Sequence, residues 1–199
     1  MSRLIVIEGI DGSGKTTLAR NLVRRLMERG FKSYYTYEPY ESPFSEVFRK
    51  IKTLIKTDPT IDALAMTLDR AYHVKMVIEP LLEEGYIVVS DRYYYSTIAY
   101  QGAMGADITW IKNMNKVFRK PDLGIYIDVS VDTALERIKM KESRWPEYEV
   151  RELLEKVRKI YLEMVREGEL EIVCGEKKAE EVIEEAWRII TGKIDLENR

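Results

Sequence analysis

The sequence predicts a three-layer α/β fold, a central parallel sheet of about five strands flanked by helices. Two observations lead there. Short unbroken apolar runs recur along the chain, and stretches with apolar residues three and four apart separate them. A strand with one wet face alternates apolar and polar residues, whereas an unbroken run suits a strand buried on both faces of a parallel sheet. Parallel neighbours then need right-handed crossovers, which the intervening helices supply.

Arg3 to Glu8 is the first such run and ends on Gly9. A Gly-rich turn follows, then Thr16 to Arg29, where Leu18, Leu22, Val23 and Leu26 mark one helical face closed by Gly30. Phe31 to Tyr37 reads as the second strand. Ser45 to Lys56 and Ile61 to Leu82 read as helices, with Pro80 bending or closing the second. Tyr86 to Ser90 and Leu123 to Val129 are further buried strands. Helices are predicted over Val131 to Lys141 and Val150 to Glu167, around a charged segment. Leu170 to Cys174 reads as a last strand, Ala179 to Ile190 as a last helix, and Gly192 to Arg199 as a polar tail. No repeat or linker divides the chain, so a single domain over residues 1–199 is expected.

Composition narrows the function classes. Its 32 basic and 34 acidic side chains nearly cancel, which argues against a nucleic-acid partner, because a phosphate polymer selects a positive surface. The single cysteine, Cys174, excludes an internal disulfide and reads as an inert small hydrophobe on its strand. No Cys/His cluster suggests structural zinc. The single histidine, His73, has no partner in sequence and reads as a packing residue. The apolar stretch Leu4 to Ile7 is too short for a secretory signal or a membrane span, so a cytoplasmic protein without a membrane partner is expected.

Gly9-Ile10-Asp11-Gly12-Ser13-Gly14-Lys15-Thr16 fits G-x-x-x-x-G-K-[ST], between a buried strand and a helix. This is a P-loop, and it places the chain in the P-loop NTPase fold. Glycines let the backbone curl so that successive N–H groups face phosphate oxygens, and the helix N-terminus adds its positive dipole end. Gly9 to Thr17 is therefore the predicted ATP phosphate site. Lys15 is predicted to bridge the β- and γ-phosphates, and the Thr16 hydroxyl to ligate Mg²⁺.

Asp91-Arg92 ends a central strand, where open α/β sheets place their chemistry. Asp91 suits ordering of magnesium-bound water, and Arg92 suits contact with an acceptor phosphate. The Asp-x-x-Gly and Asn-Lys-x-Asp motifs of GTPase switches are missing from suitable places. Transfer between two anions needs cations converging from several segments, and Arg49, Arg70, Arg92 and Arg144 are the candidates.

At Asp91-Arg92-Tyr93-Tyr94-Tyr95-Ser96-Thr97-Ile98-Ala99-Tyr100-Gln101-Gly102 the chain resembles the thymidylate kinase family, matching D-R-[YF]-x-x-S-x-x-A-Y-Q-G throughout. Glu8 to Thr17 is similar to that family's E-G-x-D-G-x-G-K-T-T. Asp69-Arg70-Ala71 with His73 resembles its D-R-A-x-H, and Pro121 to Asp128 its P-D-L-x-x-x-L-D, with Ile127 for the second leucine. The resemblance implies phosphoryl transfer from ATP to dTMP with Mg²⁺, for dTTP synthesis, by a homodimer. It implies that Asp11 faces the sugar 3′-hydroxyl and the acceptor phosphate, with Glu38 near the same centre. It gives Arg49 and Arg92 to the acceptor phosphate and Arg70 to a thymine carbonyl. Ser96, Thr97, Tyr100 and Gln101 would line base and sugar, Tyr100 crowding a 2′-hydroxyl; some of Tyr93 to Tyr95 are expected to be core.

The chain departs from the family twice. Tyr37 stands where the family usually has arginine before Glu-Pro, and Met66 where it has a base-stacking phenylalanine. Gly12 after Asp11 points to the branch in which a lid, here near residues 139–149, supplies the catalytic cation. Arg144 is the choice, with Arg137, Lys139 and Lys141 behind it. Gly175 to Lys178 is expected near the adenine. Two rivals remain: a related kinase accepting dUMP, CMP, GMP or a nucleoside, and a nucleotide-binding regulator without transfer. The retained Lys15, Arg92 and Arg144 speak against the second.

Overall fold

The computed structural model describes residues 2–52, 58–139 and 150–196. Five strands, β1 (Arg3–Glu8), β2 (Ser33–Tyr37), β3 (Ile87–Asp91), β4 (Leu123–Asp128) and β5 (Glu171–Cys174), form one sheet in the order β2-β3-β1-β4-β5. Every neighbouring pair is parallel, as the apolar runs predicted. Side chains alternate between the two faces, and both faces are covered. Ile5 and Ile7 of β1 join Ile87, Val89, Ile125 and Val173 beneath α1 (Lys15–Glu28) and α9 (Ala179–Lys193). Leu4 and Val6 join Val88 and Tyr126 on the other face. That face is covered by α3 (Pro59–His73), α4 (Glu79–Glu83), α5 (Tyr94–Ala103), α6 (Ile108–Asn115), α7 (Val131–Lys139) and α8 (Arg151–Arg166). A further helix, α2 (Pro43–Lys52), packs beside α3.

Strand register assembles the site. Tyr37 pairs with Asp91, and Ile7 pairs with Asp91 from the other side. The ladder then runs one residue past the strand ends, with Arg92 N–H donating to the Ile7 carbonyl at 2.9 Å and Glu38 N–H to the Asp91 carbonyl at 3.0 Å. Gly9, Glu38 and Arg92 therefore leave the sheet side by side at its carboxyl edge.

Several expected boundaries shift for physical reasons. The long helix predicted through Leu82 is continuous but widens into a π turn at Val74–Ile78, where Glu79 N–H reaches back to the Val74 carbonyl. Pro80 offers no N–H to the preceding turn, so the ladder loosens just before it. α5 and α6 were not foreseen. α5 buries Tyr95, Thr97, Ile98, Ala99, Tyr100 and Gln101 around its axis, so it shows no polar stripe. For α6 a signal was present, because Asp107 caps it, accepting from Thr109 and Trp110 N–H at 2.8 and 3.1 Å. The tail begins later than expected. α9 runs to Lys193, and Ile194 is buried with Leu26, Trp187 and Ile190. Cys174 is corrected too: it lies on β5 as expected but is exposed, not buried as a small hydrophobe.

Ile194→Ala should lower the unfolding free energy by about 2–4 kcal/mol in urea titration. A loss below about 0.5 kcal/mol would mean that the end of α9 is not docked on the sheet.

Candidate active site

The turn between β1 and α1 is built from backbone that only glycine tolerates cheaply. Gly12 has φ of 80° and Gly14 of 96°. A Cβ on Gly12 would collide with the Ala134 carbonyl, and one on Gly9 with the Ser13 hydroxyl and the Ile127 carbonyl. Gly14 caps α1, so the first N–H groups of the helix face the turn. Ser13 Oγ is buried without a hydrogen-bond partner among the described residues. An orphaned hydroxyl in a glycine cradle at a helix N-terminus fits an anion.

Two cavities border this turn. The one beside Gly12, Ser13, Gly14 and Thr17 has about 1120 Å³ counting its open mouth, and extends to Arg137, Gly175, Lys177 and Ile183. It is a nucleotide-sized space that starts at the phosphate loop, and it reaches the Gly175 segment expected near adenine. Arg137, a minor candidate from sequence, ties the two walls together: its Nη2 donates to the Gly175 carbonyl at 3.1 Å and its Nη1 to the Gly12 carbonyl at 3.5 Å. The preferred lid cation, Arg144, lies outside the described residues, as does Lys141; Lys139 is the last, exposed residue of α7.

The second cavity, about 580 Å³ counting its open mouth, begins at Asp11, the residue next to Gly12. It gathers Glu38, Met66, Arg70, Arg92, Ser96, Thr97, Tyr100 and Gln101, every predicted acceptor residue except Arg49. Arg49 sits exposed on α2, outside the lining of this cavity. Met66 faces the cavity from α3, at the position where a stacking ring was expected. Tyr93 and Tyr95 are buried core residues.

Lys15, Asp11 and Arg92 meet between the two cavities. Lys15 Nζ donates to the Ile10 carbonyl at 2.8 Å and lies 3.8 Å from Asp11. Arg92 is ion-paired to Asp11, donates to Ser96 Oγ at 2.8 Å, and covers the Tyr100 ring at 5.1 Å. The Tyr100 hydroxyl donates to Asp11 Oδ2 at 3.0 Å and accepts from Asp11 N–H at 3.0 Å. Burial works to raise the Asp11 pKa, but the charges of Arg92 and Lys15 outweigh it and hold the carboxyl below its ordinary range. Burial would likewise lower Arg92, yet Asp11 and its neighbours raise it well above the ordinary value, so the guanidinium stays charged.

Arg92 holds φ at 76°, a left-handed backbone that costs a non-glycine residue about 1–2 kcal/mol. Its neighbours impose this. Ser90 Oγ donates to the Arg92 carbonyl at 2.8 Å, and Glu8 Oε1 accepts the next N–H, of Tyr93, at 2.7 Å. Glu8 also accepts from Ser96 Oγ at 2.7 Å and Tyr161 hydroxyl at 2.8 Å. Burial raises its pKa even so.

Thr16 Oγ1 donates to Asp91 Oδ2 at 2.5 Å at the mouth of the loop. Among the described residues no group of three or more His, Cys, Asp or Glu side chains could hold a metal alone. Mg²⁺ does not need one. It binds through one or two protein groups, waters and nucleotide phosphates, and a hydroxyl beside a carboxylate fits that donor set.

At the far end Arg70 is buried, paired with Glu38 at 2.8 Å, and donates to Asn115 Oδ1 at 2.7 Å and Thr97 Oγ1 at 3.0 Å. Asn115 was missed, since no local motif marks it. His73, read as packing, is fully buried and contacts Glu38 at 3.1 Å and Thr36 at 2.6 Å, while stacking on Tyr40. Asp69 accepts from Tyr40 N–H at 2.6 Å and from Ser42 Oγ, holding the segment after Glu38.

Lys15 is pushed down to about 8, first by burial and then by the Arg92 charge, against the pull of Asp11, Asp91 and Glu8. Seating ATP adds negative charge and raises that pKa again. Affinity for ATP should therefore be flat below about pH 8 and fall above it, by up to about tenfold per pH unit. Calorimetric titration from about pH 6.5 to 9.5 reads this, and constant affinity across the range would show that free Lys15 titrates higher.

Comparison with known proteins follows the same lines. The thymidylate kinase family model matches residues 7–186. The chain is 42% identical to the probable thymidylate kinase of Staphylothermus marinus, over 94% of this chain and 93% of that protein. It is 41% identical to the probable thymidylate kinase of Sulfolobus acidocaldarius, covering 94% and 95%. With the probable thymidylate kinase of Archaeoglobus fulgidus the identity is 39%, covering 97% of each. The phosphate loop, and family matches along almost all of its length, place this chain in the thymidylate kinase family of P-loop phosphotransferases.

Proposed function

We propose that this enzyme transfers the γ-phosphoryl group of ATP to dTMP, giving ADP and dTDP for dTTP synthesis. The observation that carries the assignment is the arrangement of the two cavities. Consecutive residues, Asp11 and Gly12, line one each, and Lys15 and Arg92 sit at the junction. Transfer between two bound nucleotides needs such an end-to-end placement, with cations where charge spreads over the moving group.

In this scheme the loop amides and Lys15 hold the ATP phosphates, and Arg92 grips the acceptor phosphate. Asp11 takes the 3′-hydroxyl, kept ionised by its two cations. Thr16 would hold Mg²⁺ directly and Asp91 through water; bound there, the ion would neutralise phosphate charge. The acceptor oxygen is already anionic, so no protein base is required. Arg70 addresses the base, Met66 covers it, and the Tyr100 ring leaves little room for a ribose 2′-hydroxyl. Arg137, between the Gly12 and Gly175 carbonyls, suits the adenine end. Arg144 remains the proposed lid cation.

A coupled ADP assay over the nucleoside monophosphates tests the acceptor, with dTMP expected to lead. A clear preference for dUMP, CMP or GMP would replace dTMP. Failure with every acceptor, despite tight ATP binding, would establish a regulator. In the same assay Arg92→Ala should cut kcat about a thousandfold and leave ATP affinity within about threefold. Equal loss of both would mean Arg92 only supports the fold.

A homodimer belongs to the same proposal. Ile61, Leu64 and Leu68 form an exposed apolar stripe on α3, and Phe44, Val47 and Ile51 are exposed on the neighbouring α2. Contiguous apolar surface of this kind is usually covered by a partner. Leu64→Glu with Leu68→Glu should give a monomer by light scattering, and an unchanged mass would move the interface elsewhere. No helix of the described residues is long and apolar enough to cross a membrane. A cytoplasmic location accords with the supply of both substrates.

A further inference from the structure

Arg70 meets the acceptor cavity with most of its guanidinium already committed. Its Nε donates to Glu38 Oε2 at 2.8 Å, and Nη2 lies 2.8 Å from the same oxygen. Nη2 also donates to Thr97 Oγ1 at 3.0 Å, and Nη1 to Asn115 Oδ1 at 2.7 Å. A guanidinium has five N–H groups. Among the described residues these contacts leave one N–H, on Nη1, for a ligand. Where that hydrogen points depends on the plane of the guanidinium, which Glu38 sets from one side.

Glu38 is itself held from behind. Its Oε1 faces His73 Nδ1 at 3.1 Å, and His73 Nε2 faces Thr36 Oγ1 at 2.6 Å. A carboxylate paired with Arg70 accepts and does not donate, so Nδ1 carries the proton. In the neutral ring Nε2 then accepts from the Thr36 hydroxyl, which fixes the tautomer. Thr36 lies on β2, so the chain Thr36–His73–Glu38–Arg70 anchors base recognition to the sheet.

We propose that His73 is a positioning residue for acceptor recognition, aiming the remaining Arg70 N–H through Glu38 at one carbonyl of the acceptor base. This rests on the assignment of the cavity to a nucleoside monophosphate. The competing role is packing, because the His73 ring stacks on Tyr40 at 4.6 Å and 9°. The two roles call for opposite rescues. His73→Phe keeps the stack and loses both hydrogen bonds; His73→Asn loses the stack and keeps a donor near the Nδ1 position.

Calorimetry with dTMP and separately with ATP, together with steady-state kinetics, decides between them. His73→Phe should weaken dTMP binding about tenfold, with ATP affinity and kcat at saturating dTMP within about twofold; His73→Asn should recover dTMP binding to within about threefold of wild type. His73→Phe binding dTMP like wild type, His73→Asn binding no better than His73→Phe, or ATP affinity falling in step would each overturn the proposal. If His73→Phe does not fold, Thr36→Val decides: a severalfold loss of dTMP affinity alone supports positioning, and no change refutes it. A wild type that prefers another monophosphate would displace dTMP as acceptor but not this role, and the series is then read with that nucleotide. A wild type that binds no monophosphate overturns both.

Discussion

Two cations, the buried Lys15 and the partly buried Arg92, held beside each other at the end of a parallel sheet are the constraint that shapes this site. Like charges at close range in a dry environment repel, and each has also lost its water. Burial first, and then the Arg92 charge, push Lys15 down to about 8. Three carboxylates nearby offset these effects: Asp11 pairs with Arg92, Asp91 adds a favourable charge to both cations, and Glu8 lies beneath. A protein that only needed stability would use apolar residues here. The arrangement makes sense where two polyanions must come end to end, because each brings negative charge that the cations are already placed to meet.

The same constraint explains the backbone. Arg92 can reach Asp11 only by turning away from β3 immediately after Asp91, and it does so in a left-handed conformation that Ser90 and Glu8 brace. Glu8 in turn is braced by Ser96 and Tyr161, from α5 and α8. A buried carboxyl accepting three hydrogen bonds thus couples the first strand to helices that come much later in sequence. Strain at Arg92 is offset by a network that reaches from β1 to α5 and α8.

What was legible in the sequence follows from how local each signal was. The phosphate loop, the buried strands and the Asp91-to-Gly102 stretch are contiguous, so strand count, sheet type and most of the lining of the second cavity were legible in the sequence. Contacts between distant residues could not. Asn115 meets Arg70 across 45 positions, and Tyr161 meets Glu8 across 153. His73 looked isolated because its partners, Thr36 and Glu38, lie on a different strand end. α5 was invisible for a different reason: burial around its axis erases the polar stripe that periodicity depends on.

Under the proposed assignment, Arg70 also bears on how one fold separates related acceptors. With Glu38, Thr97 and Asn115 taking most of its hydrogens, it is not a general anion grip. It is closer to a fixed donor, and a fixed donor discriminates by leaving a cost when its target is missing. Such a device can check whether a pyrimidine offers a carbonyl at one place, which separates thymine from cytosine. It cannot sense a methyl group on the ring. That distinction must come from shape, and on this wall Met66 supplies a flexible, polarizable surface instead of a flat ring. Methylene-sized differences in an apolar pocket are worth only about 1–3 kcal/mol even when packing is tight. If a thymine base occupies this wall as proposed, the carbonyl is read more sharply than the methyl, and kcat/KM should fall further from dTMP to dCMP than from dTMP to dUMP.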